Sequence, residues 1–194
     1  EALIRWMKPH GEMVAPDVFI PLAEYTGLIV EIGDWVFAEA CQQIVRWDKE
    51  GLPHFRVGIN ISAAQFREPD FVSKIAGVIE STGVSPARLE LEITESVAME
   101  DPESVARQLR ELKSLGLRVA VDDFGCGFSS LGSLNRLPFD RVKIDRAFVR
   151  ELTPETSQDC IARMIVKLAK SLGLEVTAEG VETEVQARLL GEMG

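Results

Sequence analysis

Histidine is nearly missing from this 194-residue chain: only His10 and His54 occur, each beside a proline in a loop-like context. That scarcity excludes Ser-His-Asp and Cys-His triads and any histidine-rich zinc centre. Cysteine is almost as rare. Cys41, Cys126 and Cys160 are far apart, odd in number and without a Cys-x-x-Cys pair, so they build neither a zinc site nor a disulfide framework and fit a reducing compartment. No apolar run approaches the ~18 residues of a membrane span, and no basic-then-apolar leader opens the sequence, so direct membrane insertion is not expected. An excess of positive charge is lacking too. The chain has 21 Lys and Arg against 31 Asp and Glu, a net charge of −10, which argues against DNA or RNA polymers as partners. Carboxylates, amides and lysine are left to carry any chemistry, and the metals they hold are hard ones: magnesium, manganese or calcium.

What the chain does have is length for one domain, 46% hydrophobic residues to fill a core, and a regular alternation. The first third reads as helical. One helix is expected from Pro16-Asp17 through Tyr25, ending at Gly27, and a second from about Gly33 to Lys49, stopping at Gly51. Short apolar strands then alternate with helices. Val57–Asn60 precedes a helix near 70–81, Leu89–Glu92 one over 104–114, and Val119–Asp122 a short helical turn around Leu131. Val142-Lys143 precedes a helix from about Gln158 to Leu172, and Val176–Glu179 leads into a last helix starting near Thr183. Repeated strand-helix units of this size predict an α/β fold with a parallel sheet.

An internal repeat sharpens that expectation. Residues 114–122, SLGLRVAVD, match residues 171–179, SLGLEVTAE, and each copy reads as a helix end, a glycine stop and a strand that finishes on a carboxylate. A general liking of helix-to-strand corners for glycine explains part of this. The five strand ends explain themselves less easily, because they are Asn60, Glu92, Asp122, Lys143 and Glu179. In a parallel barrel the carboxyl ends of the strands share one face, where active sites lie. Gathering so many charges out of water is costly unless a cation neutralises them, so a metal site is expected there.

Asp122-Asp123-Phe124-Gly125 is the densest signal. Adjacent carboxylates at a strand end can bridge two divalent cations about 3.5–4 Å apart, the arrangement that in-line phosphoryl hydrolysis uses. The glycine-rich stretch that follows, with Cys126 in it, is able to move over a substrate, although flexibility alone accounts for its composition. Asp-Phe-Gly also occurs in protein kinases, but a Gly-rich nucleotide loop, a His-Arg-Asp loop and the length for two lobes are all missing. Acids on three strands followed by a lysine also suit, as a third reading, magnesium-assisted proton abstraction or a Schiff-base aldolase. Lys143 also reads as a buried ion-pair partner of Glu92 or Asp122, Gln65 and Asn60 as helix caps, Arg5 as a solvated charge, and Trp6, Trp35 and Trp47 as core or interface packing.

Six motifs in order carry a resemblance to a known family: Glu1-Ala2-Leu3-Ile4-Arg5-Trp6, Asn60–Phe66 (NISAAQF), Leu91–Ser96 (LEITES), Asp122–Gly125 (DDFG), Val142–Asp145 (VKID) and Ala178–Glu182 (AEGVE). Together they resemble the EAL domain, the phosphodiesterase of bacterial cyclic di-GMP signalling, along nearly the whole of residues 1–194. The resemblance implies a TIM-like (β/α) barrel of the EAL type, incomplete at both termini because the strand before Glu1 and the last strand with its Gln-Gly-Tyr motif fall outside. It implies metal-dependent hydrolysis of cyclic di-GMP to linear pGpG. The alternative is a catalytically idle domain that serves as a cyclic di-GMP receptor or dimerising module.

Position by position, the resemblance implies that Glu1, Asn60, Glu92 and Asp122 hold one Mg²⁺ or Mn²⁺ ion. Asp122 bridges to a second ion that Asp123 and Glu179 help place, while Ca²⁺ is expected to be inhibitory or non-productive. Lys143 stands where the family has its essential lysine, which orients or deprotonates the attacking water, and nearby cations would push its pKa down. Arg5 is implied to meet a substrate phosphate, Leu3 to lie near a guanine, Glu182 to support the catalytic end and Glu95 to anchor the loop 123–130. A homodimer, sensory or GGDEF domains in a longer parent chain, and a location in the cytoplasm, either free or as the cytoplasmic part of a membrane-attached protein, complete what the resemblance implies. Cys126 departs from it, standing where the family usually has threonine or another small residue.

Overall fold

A computed structural model describes residues 1–125, 136–154, 156 and 160–194. They divide into two compact units, residues 1–92 with 111–118, and residues 93–110 with 119–194.

The first unit opens with a small antiparallel hairpin, β1 (Trp6–Met7) and β2 (Met13–Val14). Helix α1 (Pro16–Thr26) follows, with Pro16 in its first turn, where a missing N–H costs nothing, and it stops at Gly27. Helix α2 (Ile29–Lys49) buries Ile29, Gly33, Phe37, Ala40, Cys41 and Ile44, the one-sided stripe of a helix laid on a core. Burial also pushes the Cys41 thiol up to about 12, so it is inert. Strand β3 (Val57–Asn60) comes next, then α3 (Ala63–Phe66) and α4 (Phe71–Thr82). Strand β4 (Leu89–Thr94) pairs parallel to β3, from Val57 against Leu89 to Asn60 against Glu92. The guanidinium of buried Arg88 ties the turn before β3 to the end of α2, donating to the Phe55 carbonyl and to Asp48 while lying 5.2 Å from the Phe55 ring.

In the second unit α5 (Glu95–Glu100) and α6 (Pro102–Ser114) precede β5 (Arg118–Phe124), β6 (Arg141–Ile144) and β7 (Glu175–Ala178). β6 pairs parallel to both of its neighbours. Helices α7 (Arg146–Arg150), α8 (Ile161–Ser171) and α9 (Glu184–Met193) complete it, and α9 starts at a reciprocal cap between Thr183 and Gln186. Buried Val119, Val121, Val142 and Ile144 on the strands and Ala162, Ile165, Val166 and Ala169 on α8 form its core. The 114–122 and 171–179 repeat is real in structure. Each copy leaves a helix at its serine, turns through a left-handed glycine, Gly116 with φ 92° and Gly173 with φ 71°, and enters a strand two residues later.

Several expectations need correction. The first third is not wholly helical, because the 6–14 hairpin precedes α1. Helix α2 begins at Ile29, four residues before the expected start at Gly33. Strands β4 and β5 run two residues beyond Glu92 and Asp122, β6 runs one beyond Lys143, and β7 stops one short of Glu179. The short helices α3, α5 and α7 each follow a strand end that sequence periodicity is too brief to reveal. Of the core-or-interface reading of Trp6 and Trp35, the core alternative falls, since they are 48% and 58% exposed. The turn expected around Leu131, the start at Gln158 and Cys126 lie outside the described residues.

Candidate active site

Each unit gathers polar side chains at the carboxyl ends of its strands. In the first, the pairing sets Asn60 opposite Glu92. A parallel bridge from Ala2 to Ile59, with Ala2 N–H donating to the Gly58 carbonyl at 2.8 Å, lays the first residues along β3. Glu1 thereby reaches Asn60, whose Nδ2 donates to Glu1 Oε1 at 2.6 Å. With that nitrogen engaged, Oδ1 of Asn60 is the atom left to face a ligand. The chain after Asn60 is fixed by the Ile61 N–H donating to the Glu92 carbonyl at 2.9 Å and by a capping box between Ser62 and Gln65. Gln65 is thus the cap that its sequence position suggested, and it is buried. Leu3 and Arg5 line a cavity of about 360 Å³ that also touches Trp35, Trp47 and Phe55. Leu3 is exposed, and the Arg5 guanidinium donates to the neighbouring Ile4 carbonyl at 2.9 Å.

The second unit holds a tighter group. Lys143 is buried, and its Nζ lies 3.2 Å from Asp122 Oδ2 and 2.7 Å from Glu179 Oε1. The Glu179 contact follows from the sheet: Lys143 faces Thr177 in the β6–β7 register, and Glu179 N–H donates to the Ile144 carbonyl at 3.0 Å. Between Val121 and Phe124 the β5–β6 register slips, so Asp122 and Asp123 together stand against the single residue Lys143. This bulge re-aims both aspartates, as bulges beside active sites do. Asp123 is left-handed, with φ 52°, and is the one non-glycine residue with positive φ among the described residues. Its N–H donates to Asp122 Oδ1 at 2.9 Å. Partial burial, then the charges of Asp122, Asp145 and Glu179, push the Asp123 carboxyl up to about 6.

Glu95 is buried and accepts from Gly125 N–H at 2.7 Å, holding the end of β5 where the glycine-rich stretch begins. Glu182 is exposed and lies 3.7 Å from Arg150 in a solvent-facing pair. Sequence reasoning gave Asp145 no role beyond closing the VKID motif, yet it caps α7 by accepting from Ala147 N–H at 2.7 Å and also reaches the Asp123 carboxyl. The signal was available, since an aspartate between a strand and a helix is a strong N-cap. The bulge carried no such signal.

Among the described residues no three carboxylates, imidazoles or thiols already form a metal cage. The donor chemistry nevertheless suits hard cations. The first unit offers two carboxylates and an amide oxygen, and the second offers three carboxylates, two of which now share the Lys143 ammonium.

The EAL domain family model matches residues 1–194. The bifunctional diguanylate cyclase/cyclic di-GMP phosphodiesterase MucR of Pseudomonas aeruginosa is 42% identical over 194 residues, all of this chain and 28% of that protein. An uncharacterized signaling protein of Caulobacter vibrioides is 45% identical over 190 residues, 98% of this chain and 23% of its own length. The chain therefore spans about a quarter of these relatives. A solved structure of the PaMucR phosphodiesterase in complex with c-di-GMP matches with a TM-score of 0.92 at 41% identity, covering 98% of this chain and 77% of that one. With the match running from the first residue to the last, the chain belongs to the EAL domain family and carries that family's TIM-like α/β fold in incomplete form.

Proposed function

We propose that this chain is the catalytic part of a metal-dependent phosphodiesterase that hydrolyses cyclic di-GMP to linear pGpG. One observation carries the proposal: a buried lysine, Lys143, strapped between Asp122 and Glu179 beside a bulge that presents Asp122 and Asp123 together. Glu1, Asn60, Glu92 and Asp122 would hold one Mg²⁺ or Mn²⁺ ion, and Asp122, Asp123 and Glu179 a second. Bound ions supply an acidified water and offset phosphate charge, which a chain of net charge −10 would otherwise repel.

The chain's own groups do the rest. Lys143 Nζ orients the attacking water as the ammonium or, as the neutral amine, takes its proton, and Asp122 and Glu179 hold the side chain in place. The water oxygen forms the new P–O bond, one ribose 3′ P–O bond breaks, and a proton passes to the departing 3′ oxygen, leaving a linear dinucleotide. Arg5 binds a phosphate oxygen and Leu3 packs near a guanine. Glu95 keeps the end of β5 in place, and Glu182 supports the rim. The parent protein is a multidomain signalling protein, working in the cytoplasm where nucleotide messengers occur and pairing as a homodimer.

Chromatography of cyclic di-GMP incubated with the protein and Mg²⁺ or Mn²⁺ tests this directly. Wild type is expected to yield pGpG and Glu92→Ala none, with Ca²⁺ failing to support turnover. Tight cyclic di-GMP binding without product, in a chain extended at both ends, would instead establish a receptor.

A further inference from the structure

Gly58 and Glu92 are not cross-strand partners. The β3–β4 register sets Gly58 against Glu90 and Asn60 against Glu92. The Glu92 side chain nevertheless folds back along the sheet. Its carboxylate oxygen Oε1 occupies the space a Cβ on residue 58 would take, and its Cδ and Cγ lie 2.9 and 3.6 Å from that point. Folded back in this way, Glu92 is only 5% exposed, and residue 58 is buried beneath it. Gly58 is not among the residues with positive φ, so the backbone does not call for glycine here. What matters at position 58 is the missing Cβ.

We infer that Gly58 is a positioning residue for Glu92: the recess above it is the resting place of the Glu92 carboxylate, which must swing out toward Asn60 to serve a cation. This rests on the metal-site reading proposed above and adds a device to it. Protein with Glu92 in the recess is not competent to bind, so apparent cation affinity is reduced by the fraction that is competent. A methyl group on residue 58 fills the recess. The atom it displaces is the far end of a flexible side chain, so the sheet need not move. Gly58→Ala is therefore expected to tighten cation binding by about 3- to 10-fold, the factor that corresponds to a recess occupied in most molecules.

The test is calorimetric titration of Mn²⁺ into metal-free wild type, Gly58→Ala, Glu92→Ala and the double variant, with thermal melts to establish folding. A lower Kd in Gly58→Ala that vanishes in the Glu92→Ala background supports the inference, because a general structural effect would not need Glu92. An unchanged or higher Kd in folded Gly58→Ala overturns it, as does equal tightening without Glu92. If wild type shows no Glu92-dependent Mn²⁺ binding, the metal-site reading fails by itself. Crystal structures without metal then decide the recess. Glu92 over residue 58 in wild type but turned toward Asn60 in Gly58→Ala upholds it, and the same position in both sinks it.

Discussion

In the first unit β3 and β4 pair residue for residue through Asn60 and Glu92, and Glu1 is held beside them by the neighbouring Ala2–Ile59 bridge and one side-chain hydrogen bond. In the second unit the strand that carries Asp122 and Asp123 bulges, one aspartate is left-handed, and a lysine already neutralises two of the acids. Regular pairing places ligands without backbone strain, and there the Glu92 side chain lies folded back over Gly58. A bulge with a strained aspartate and a buried ion pair holds its groups rigidly, at a cost the rest of the unit must offset. The two halves of the proposed site thus differ in how they are built: in the first unit Asn60 and Glu92 stand on regular strands, and the second unit's acids share a buried lysine beside a bulge.

Breaking each half separately is the sharpest test, and it carries the largest effect. Lys143→Ala is expected to lower kcat for pGpG formation by about 10²- to 10⁴-fold, the range for losing a proton-handling group. Its cation affinity should hold or rise, because an ammonium that competes for Asp122 and Glu179 is gone. Glu92→Ala should lose cation binding along with turnover. Product chromatography and Mn²⁺ titration on both variants check the split, and loss of cation affinity in Lys143→Ala would erase the proposed difference between the halves.

The strain at Asp123 comes next. Glycine adopts a positive φ freely, so Asp123→Gly should raise the stability of the metal-free protein by about 1 kcal/mol in urea unfolding while abolishing turnover. A residue held in place for catalysis shows that opposition, and one held for folding does not. In the first unit the corresponding device is an ordinary cap. Ser62→Ala should cost about 1 kcal/mol, close to the cost of losing any N-cap, and should leave the Lys143 group untouched.

The same contrast decides what the sequence revealed. Features set by neighbours in the chain were legible: the stop of α1 at Gly27, the glycine corners at 116 and 173, and the caps at Gln65 and Thr183. Strand-end acids were legible as a group because periodicity locates strands. The 6–14 hairpin was hidden because two-residue strands show no alternation. The bulge at 122–123 was hidden for a deeper reason: it exists only relative to residues 141–144, whose register nothing in the aspartates announces. The folded-back Glu92 likewise depends on what is missing from a residue on another strand.

The pH response of the metal-free protein is the smallest expected effect, and it separates the two halves most cleanly. Burial and three neighbouring carboxylates raise Asp123 from its ordinary 3.8 to about 6 when the chain is folded. Between those values the folded state holds more of that proton than the unfolded state does. Stability therefore falls as pH rises through this window and levels off above it. Asp123 is open enough to solvent for screening to flatten the slope. Thermal melts of wild type and Asp123→Asn from pH 4 to pH 7, with chelator present, should show a decline in wild type that is reduced in the variant. Asn60→Ala should leave the decline in place, since the acids that raise Asp123 are Asp122, Asp145 and Glu179, all in its own unit. A decline that survives Asp123→Asn unchanged would assign it to other carboxylates and remove the electrostatic half of the contrast, leaving the bulge and the left-handed backbone to carry it.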